Sequence, residues 1–218
     1  MSRIALGFER ILQYFWSYRV ARLGARLVVL ALFMQFSVYA VQAFYELRTL
    51  NYLILLVGEF VTISLVIFAR DTDKVRLTPV AFTAALLGTF YYLFFSFDSG
   101  FQSLVPMAVS EVIQISGILF QVYAKLSLGR SFGLVPANRG VVTVGAYRIV
   151  RHPIYLGYFL GHVGFILGAF SFNNFLILVA LYLFQGIRIL EEEKILREDS
   201  EYVDYSARVR WRAIPGVF

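Results

Sequence analysis

Arg151-His152-Pro153-Ile154-Tyr155-Leu156-Gly157 opens a long apolar run that closes on Arg188-Ile189-Leu190-Glu191-Glu192-Glu193. The chain between them reads as two helices of about 18 residues, each rising ~1.5 Å per residue, so the pair crosses a bilayer and returns. The Arg-His pair and the Arg/Glu cluster are therefore expected to face each other at one membrane surface. Pro153 suits the first turn of a helix, where its missing N–H costs nothing. His152 then stands at a helix N-terminus, whose free N–H groups and dipole attract an anion such as a carboxylate. Arg188 and Glu192 are four residues apart and share one helical face. Glu191 and Glu193 are expected to project elsewhere, with Glu193–Arg197 and Lys194–Glu198 as ordinary surface pairs. Beside the glycine-punctuated segment 128–148, such a cluster of both charges can hold a zwitterion. An amino-acid head needs a cation for its carboxylate and an anion for its ammonium.

The surrounding composition supports the membrane reading. Of 218 residues, 59% are apolar, and the mean hydropathy is +0.71; a soluble domain runs nearer about 45–50% apolar. The chain has no cysteine, which excludes disulfides, thiolate nucleophiles, Fe–S clusters and Cys-type zinc sites. Only His152 and His162 offer imidazoles, so no metal is expected. The net charge of +6 would suit a nucleic acid, but its distribution points to a membrane protein without one. Six stretches, 27–45, 51–69, 79–97, 103–124, 154–170 and 174–190, are apolar enough to span. With both termini in the cytoplasm, 19 of the 20 Lys and Arg residues lie on that side and only Arg48 outside, in line with the positive-inside rule.

The expected fold is all-α: a polytopic membrane helical bundle of about six transmembrane helices, with a cytoplasmic cofactor pocket at the last helical hairpin. Residues 1–126 would form an N-terminal interfacial helix plus four spans, and 127–218 a cofactor loop, the hairpin and a cytoplasmic tail. Residues 1–26 do not read as a cleavable signal peptide, because five arginines precede any long apolar run. Phe8, Ile11, Leu12, Phe15 and Trp16 recur at helical spacing, so residues 4–18 either lie flat on the interface or dock on neighbouring helices.

Polar residues inside the spans carry two readings each. Glu59 and Glu111 either line a substrate tunnel or make an interhelical hydrogen bond. His162 reads as a buried, hydrogen-bonded imidazole. Gly157, Gly161, Gly164 and Gly168 form one stripe that lets another helix, span six or span four, approach closely.

Taken in order, Gly-Arg-Ser-Phe at 129–132, Gly-Val-Val-Thr-x-Gly-x-Tyr at 140–147, Arg-His-Pro-x-Tyr-x-Gly at 151–157, Arg-x-x-Glu-Glu at 188–192, Tyr202-x-x-Tyr205 and Ile214-Pro215-Gly216 resemble the catalytic half of the isoprenylcysteine carboxyl methyltransferase family. These are integral-membrane enzymes related to phospholipid methyltransferases. The resemblance implies S-adenosyl-L-methionine as cofactor, contacted by Val141, Val142, Tyr147, His152, Pro153, Ile154, Tyr155 and Glu192. It implies Arg188 as the substrate-binding and catalytic arginine. The acceptor, O-, N- or S-, would be a lipidic or apolar small molecule arriving from the bilayer, a carboxylate of the prenylcysteine type being one candidate. The location implied is a cell (inner) membrane in a bacterium or the endoplasmic reticulum in a eukaryote. Two other classes compete: an NADPH-dependent enzyme like the membrane sterol reductases, and a non-enzymatic transporter or assembly protein.

Overall fold

Helices form at all six apolar stretches in a computed structural model of the chain, which describes residues 3–17, 19–47, 50–72, 74–94, 102–133 and 135–218. In order the helices are α1 (Arg3–Ser17), α2 (Arg19–Leu47), α3 (Leu50–Phe68), α4 (Pro79–Phe90), α5 (Met107–Leu128), α6 (Pro153–Gly168), α7 (Phe172–Leu196) and α8 (Ser200–Arg208). Strands are absent among the described residues; isolated antiparallel bridges join Val75 to Ala137 and Gln102 to Phe170. Stretches within α2, α5 and α7 are long and apolar enough to cross a membrane, whereas α3, α4 and α6 are shorter apolar helices. The expected third span, 79–97, is the largest departure. Its α-helix stops at Phe90 and tightens into a 3₁₀ turn over Tyr91–Phe94, and residues 95–97 lie outside the described ones. At its start, Pro79 sits in the first turn and Thr78 Oγ1 accepts the Ala81 N–H at 3.1 Å.

The bundle is apolar outward and polar inward. Leu27, Met34 and Val38 of α2, Leu119 of α5 and Leu183 of α7 are exposed, while Lys125, Asn174 and Gln185 are buried. Water would penalise that arrangement and lipid rewards it. On α1, Phe8, Ile11 and Phe15 are exposed as well, while Leu12 is half-buried.

The glycine stripe of α6 packs on α5. A Cβ added at Gly164 would stand 2.4 Å from Gln114 N, and one at Gly157 would meet the Gln121 backbone at 2.7 Å. From the α5 side, a Cβ on Gly117 would stand 2.2 Å from Gly161 N. The two backbones touch, and there is no room for a side chain between them. By contrast, a Cβ at Gly161 meets nothing nearer than 3.9 Å. Gly117→Ala is therefore expected to cost roughly 1–3 kcal/mol of stability through overpacking, and Gly161→Ala almost nothing, as read by thermal unfolding in detergent. Equal effects would contradict this contact.

His162 is the hydrogen-bonded imidazole expected: its Nε2 lies 2.6 Å from Tyr91 Oη and its Nδ1 2.7 Å from Tyr182 Oη. The hairpin also closes as its length requires. His152 Nε2, at the N-terminus of α6, lies 3.4 Å from Glu193 Oε1, near the C-terminus of α7.

Candidate active site

Three irregular segments meet over this end of the bundle. The loop between α3 and α4 hydrogen-bonds the loop between α5 and α6: Arg70 N–H donates to Arg130 O at 2.8 Å, Arg76 N–H to Pro136 O at 2.9 Å, and Asn138 N–H to Lys74 O at 3.0 Å. The C-terminal tail then docks on the chain entering α6. Arg151 and His152 N–H groups donate to Trp211 O and Arg212 O at 2.9 and 2.7 Å. Tyr205 Oη donates to Tyr147 O at 2.7 Å. These bonds satisfy irregular backbone that would be costly if left unpaired.

Successive residues on a helix point about 100° apart, and the glutamates of α7 accordingly serve three different purposes. Glu191 turns toward the α3–α4 loop, where Arg76 Nε approaches at 2.6 Å and Lys194 also pairs with it. Glu193 turns inward and is buried. Its carboxylate meets Arg151 Nη1 at 3.2 Å, His152 Nε2 at 3.4 Å and Arg212 Nε at 3.1 Å, and it accepts from Tyr202 Oη at 3.2 Å. Arg197, half exposed, adds a fifth contact at 3.5 Å. This corrects the expectation that Glu193 makes only a surface pair with Arg197 and that Lys194 pairs with Glu198. The tail brings Tyr202 and Arg212 back onto α7 and buries this face.

Glu192 is different. Among the described residues it makes no hydrogen bond and no ion pair, and its carboxylate borders a cavity with about 1040 Å³ of empty space, part of it open to solvent. Val141, Val142, Tyr147, His152, Ile154 and Tyr155 line the same cavity, and Arg188 stands beside Glu192. The structure thus brings every sequence-predicted site residue to one space except Pro153, which is buried in the first turn of α6 and carries no lining surface there.

Arg188 is buried yet poorly satisfied. Its Nη1 and Nη2 reach Thr89 Oγ1 and Gly133 O only at 3.3 and 3.5 Å, and its Nε has no partner. Its guanidinium lies 5.8 Å from the Tyr155 ring. A second arginine, Arg139, was not foreseen. Its guanidinium fills the space left by Gly133, where an added Cβ would come within 2.3 Å of Cζ. Its Nε is likewise buried and unpartnered. Burial lowers the Arg139 pKa to about 10, partly offset by Glu192, so the group remains charged at neutral pH. Burial also pushes the Tyr147 hydroxyl well above its usual range, keeping it neutral. The one available clue to Arg139 was its place in the glycine-punctuated loop. Arg151 belongs to the Arg-His pair expected at this surface, whereas Arg212 and Arg76 carried no such signal.

A groove between α2 and α4, walled by Val28, Leu32, Phe82 and Leu86 with Arg22, Arg26 and Asp71 at its edge, shares Thr89, Phe132, Gly133 and Arg139 with the cavity. The fold and the site together define an all-helical membrane protein with a charged, aromatic-walled chamber at one surface. Residues 109–198, from α5 through α7, match the model of the isoprenylcysteine carboxyl methyltransferase (ICMT) family, whose members are methyltransferases. No curated protein matches the chain.

Proposed function

We propose that this protein transfers methyl groups from S-adenosylmethionine to an apolar or lipidic acceptor reaching it from the bilayer, and that both termini lie in the cytoplasm. The observation that carries the reading is the half-buried carboxylate of Glu192, without a hydrogen bond or ion pair among the described residues, in one aromatic-walled cavity with Arg188 and Arg139, whose Nε atoms are buried and unpartnered. Leaving such groups buried without partners is costly unless a ligand completes them, and an amino-acid head has the matching charges. When bound, the cofactor supplies a methyl group on a cationic sulfur that departs readily as a neutral thioether.

The chain's own residues divide the remaining work. Glu192 accepts hydrogen bonds from the ammonium, and the α6 N-terminus favours the carboxylate through its dipole, since the His152 and Tyr155 N–H groups already donate to Arg212 O and His152 O. Tyr147, Val141 and Val142 pack on the adenine. Pro153 fixes the first turn that presents these groups, and Glu193 holds His152 in place from behind. Arg188 orients an oxygen of the acceptor, which reaches the cavity along the α2–α4 groove. Alignment and exclusion of water provide most of the rate enhancement in a displacement of this kind.

Calorimetry on the detergent-solubilised protein tests the assignment. Micromolar S-adenosylmethionine binding is expected with none for NADPH, and Glu192→Gln should weaken it about tenfold or more through loss of a charge-assisted bond. Unchanged affinity in that variant, or binding of NADPH instead, would refute the proposal.

A further inference from the structure

Deeper in the bundle, about nine residues or ~14 Å from the loop end of α3, a second space opens. Phe33 and Phe36 of α2, Glu59 of α3, Gln121 and Lys125 of α5, and Tyr158 of α6 wall it. Phe33, Thr89 and Tyr158 also line the outer cavity, so the two spaces adjoin. The polar groups of the inner one are an ammonium and a carboxyl that make no ion pair with each other among the described residues. Lys125 is 2% exposed; among the described residues its ammonium makes one hydrogen bond, to Thr62 Oγ1 at 2.7 Å, and no ion pair. It also lies 5.5 Å from the Tyr158 ring centroid. Across the space, Glu59 Oε1 is buried and accepts no hydrogen bond among the described residues.

Opposite charges facing one cavity restrict what can enter it. A carboxylate would meet Glu59, and an ammonium would meet Lys125. A neutral hydroxyl satisfies both, because it donates one hydrogen bond and accepts others. The aromatic walls suit a ring or chain attached to it. Arg188 reaches the boundary of the same space through Thr89.

We propose that the inner cavity binds the hydroxyl head of the methyl acceptor, a neutral apolar molecule whose O–H donates to Glu59 and whose oxygen accepts from Lys125. Naming that molecule the acceptor rests on the methyltransferase reading above; the binding site itself does not.

The test uses the full chain in phosphatidylcholine nanodiscs with para-octylphenol carrying a photoreactive diazirine in its tail. Labelling should map to the helices that wall the inner cavity, α2, α3, α5 and α6. Unlabelled para-octylphenol should compete about tenfold better than para-octylbenzoate or para-octylbenzylamine, the advantage of one satisfied charged hydrogen bond over one repelled charge. Removing either charge should change the order. Lys125→Met leaves the Glu59 carboxyl facing the cavity and should favour the benzylamine, the one probe basic enough to take its proton; Glu59→Gln leaves the Lys125 ammonium and should favour the benzoate. A merely damaged bundle would lose all three competitors alike, and no reversal would then appear. Equal competition in the wild type, labelling elsewhere, or the wild-type order in both variants overturns the proposal. Calorimetric binding of S-adenosylmethionine to the same samples separates the two readings: if it is absent while the phenol preference and both reversals hold, the methyltransferase assignment fails and the inner site stands.

Discussion

Glu193→Ala is expected to destabilise the protein by about 3–5 kcal/mol, because it leaves buried positive charge without its counter-ion. Arg151 and Arg212 both rely on this carboxylate, His152 lies against it, and Tyr202 donates to it. At side-chain exposures of 6% for Arg151 and 3% for Glu193, water cannot take its place. Thermal unfolding in detergent should fall by about 10 °C on this estimate. Arg197→Ala removes a partner of the same carboxylate, but one whose side chain is 49% exposed; it should cost under about 1 kcal/mol. Limited proteolysis supplies an independent reading: the Glu193→Ala tail beyond Leu196 should become cleavable before the helices do. A variant as stable as the parent would show that the tail does not depend on this cluster.

The second large effect concerns chemistry. Arg188→Ala should lower methyl transfer by about 10²-fold or more, the usual cost of losing a donor aimed at the reacting group, while S-adenosylmethionine affinity stays within about threefold. Incorporation of label from a methyl-labelled donor into apolar material extracted from membranes measures the first quantity, and calorimetry the second. Arg188→Lys should recover only part of the loss, since an ammonium lacks the planar fork that reaches both Thr89 and Gly133. Parallel loss of binding and transfer would instead make Arg188 a cofactor ligand.

Helix positions were legible because lipid enforces long apolar runs, and the return of the hairpin follows from its length alone. Spacing of four between Arg188 and Glu192 correctly set them on one face toward one cavity. Helical geometry also separates Glu191, Glu192 and Glu193, but it does not say which direction is buried. That depends on the tail folding back, with Tyr202 and Arg212 arriving 9 and 19 residues later without any apolar pattern to announce them. Arg139 was hidden for a related reason: its burial depends on the small size of Gly133, which reads locally as a turn residue. The glycine stripe of α6 was plain, whereas its closest counterpart, the lone Gly117 in α5, has no companion at helical spacing to mark it.

The direct meeting of main chains at Gly117 and Gly161 has a mechanical corollary. With no side chain between them to compress or rotate, α5 and α6 are keyed at a fixed depth relative to each other. Both ends of the 129–152 crossover are thereby pinned, and the chamber cannot widen by sliding one rod along the other. Widening at the loop side must instead move the α3–α4 loop and the returning tail, whose hold consists of a few hydrogen bonds and the Glu193 ion cluster.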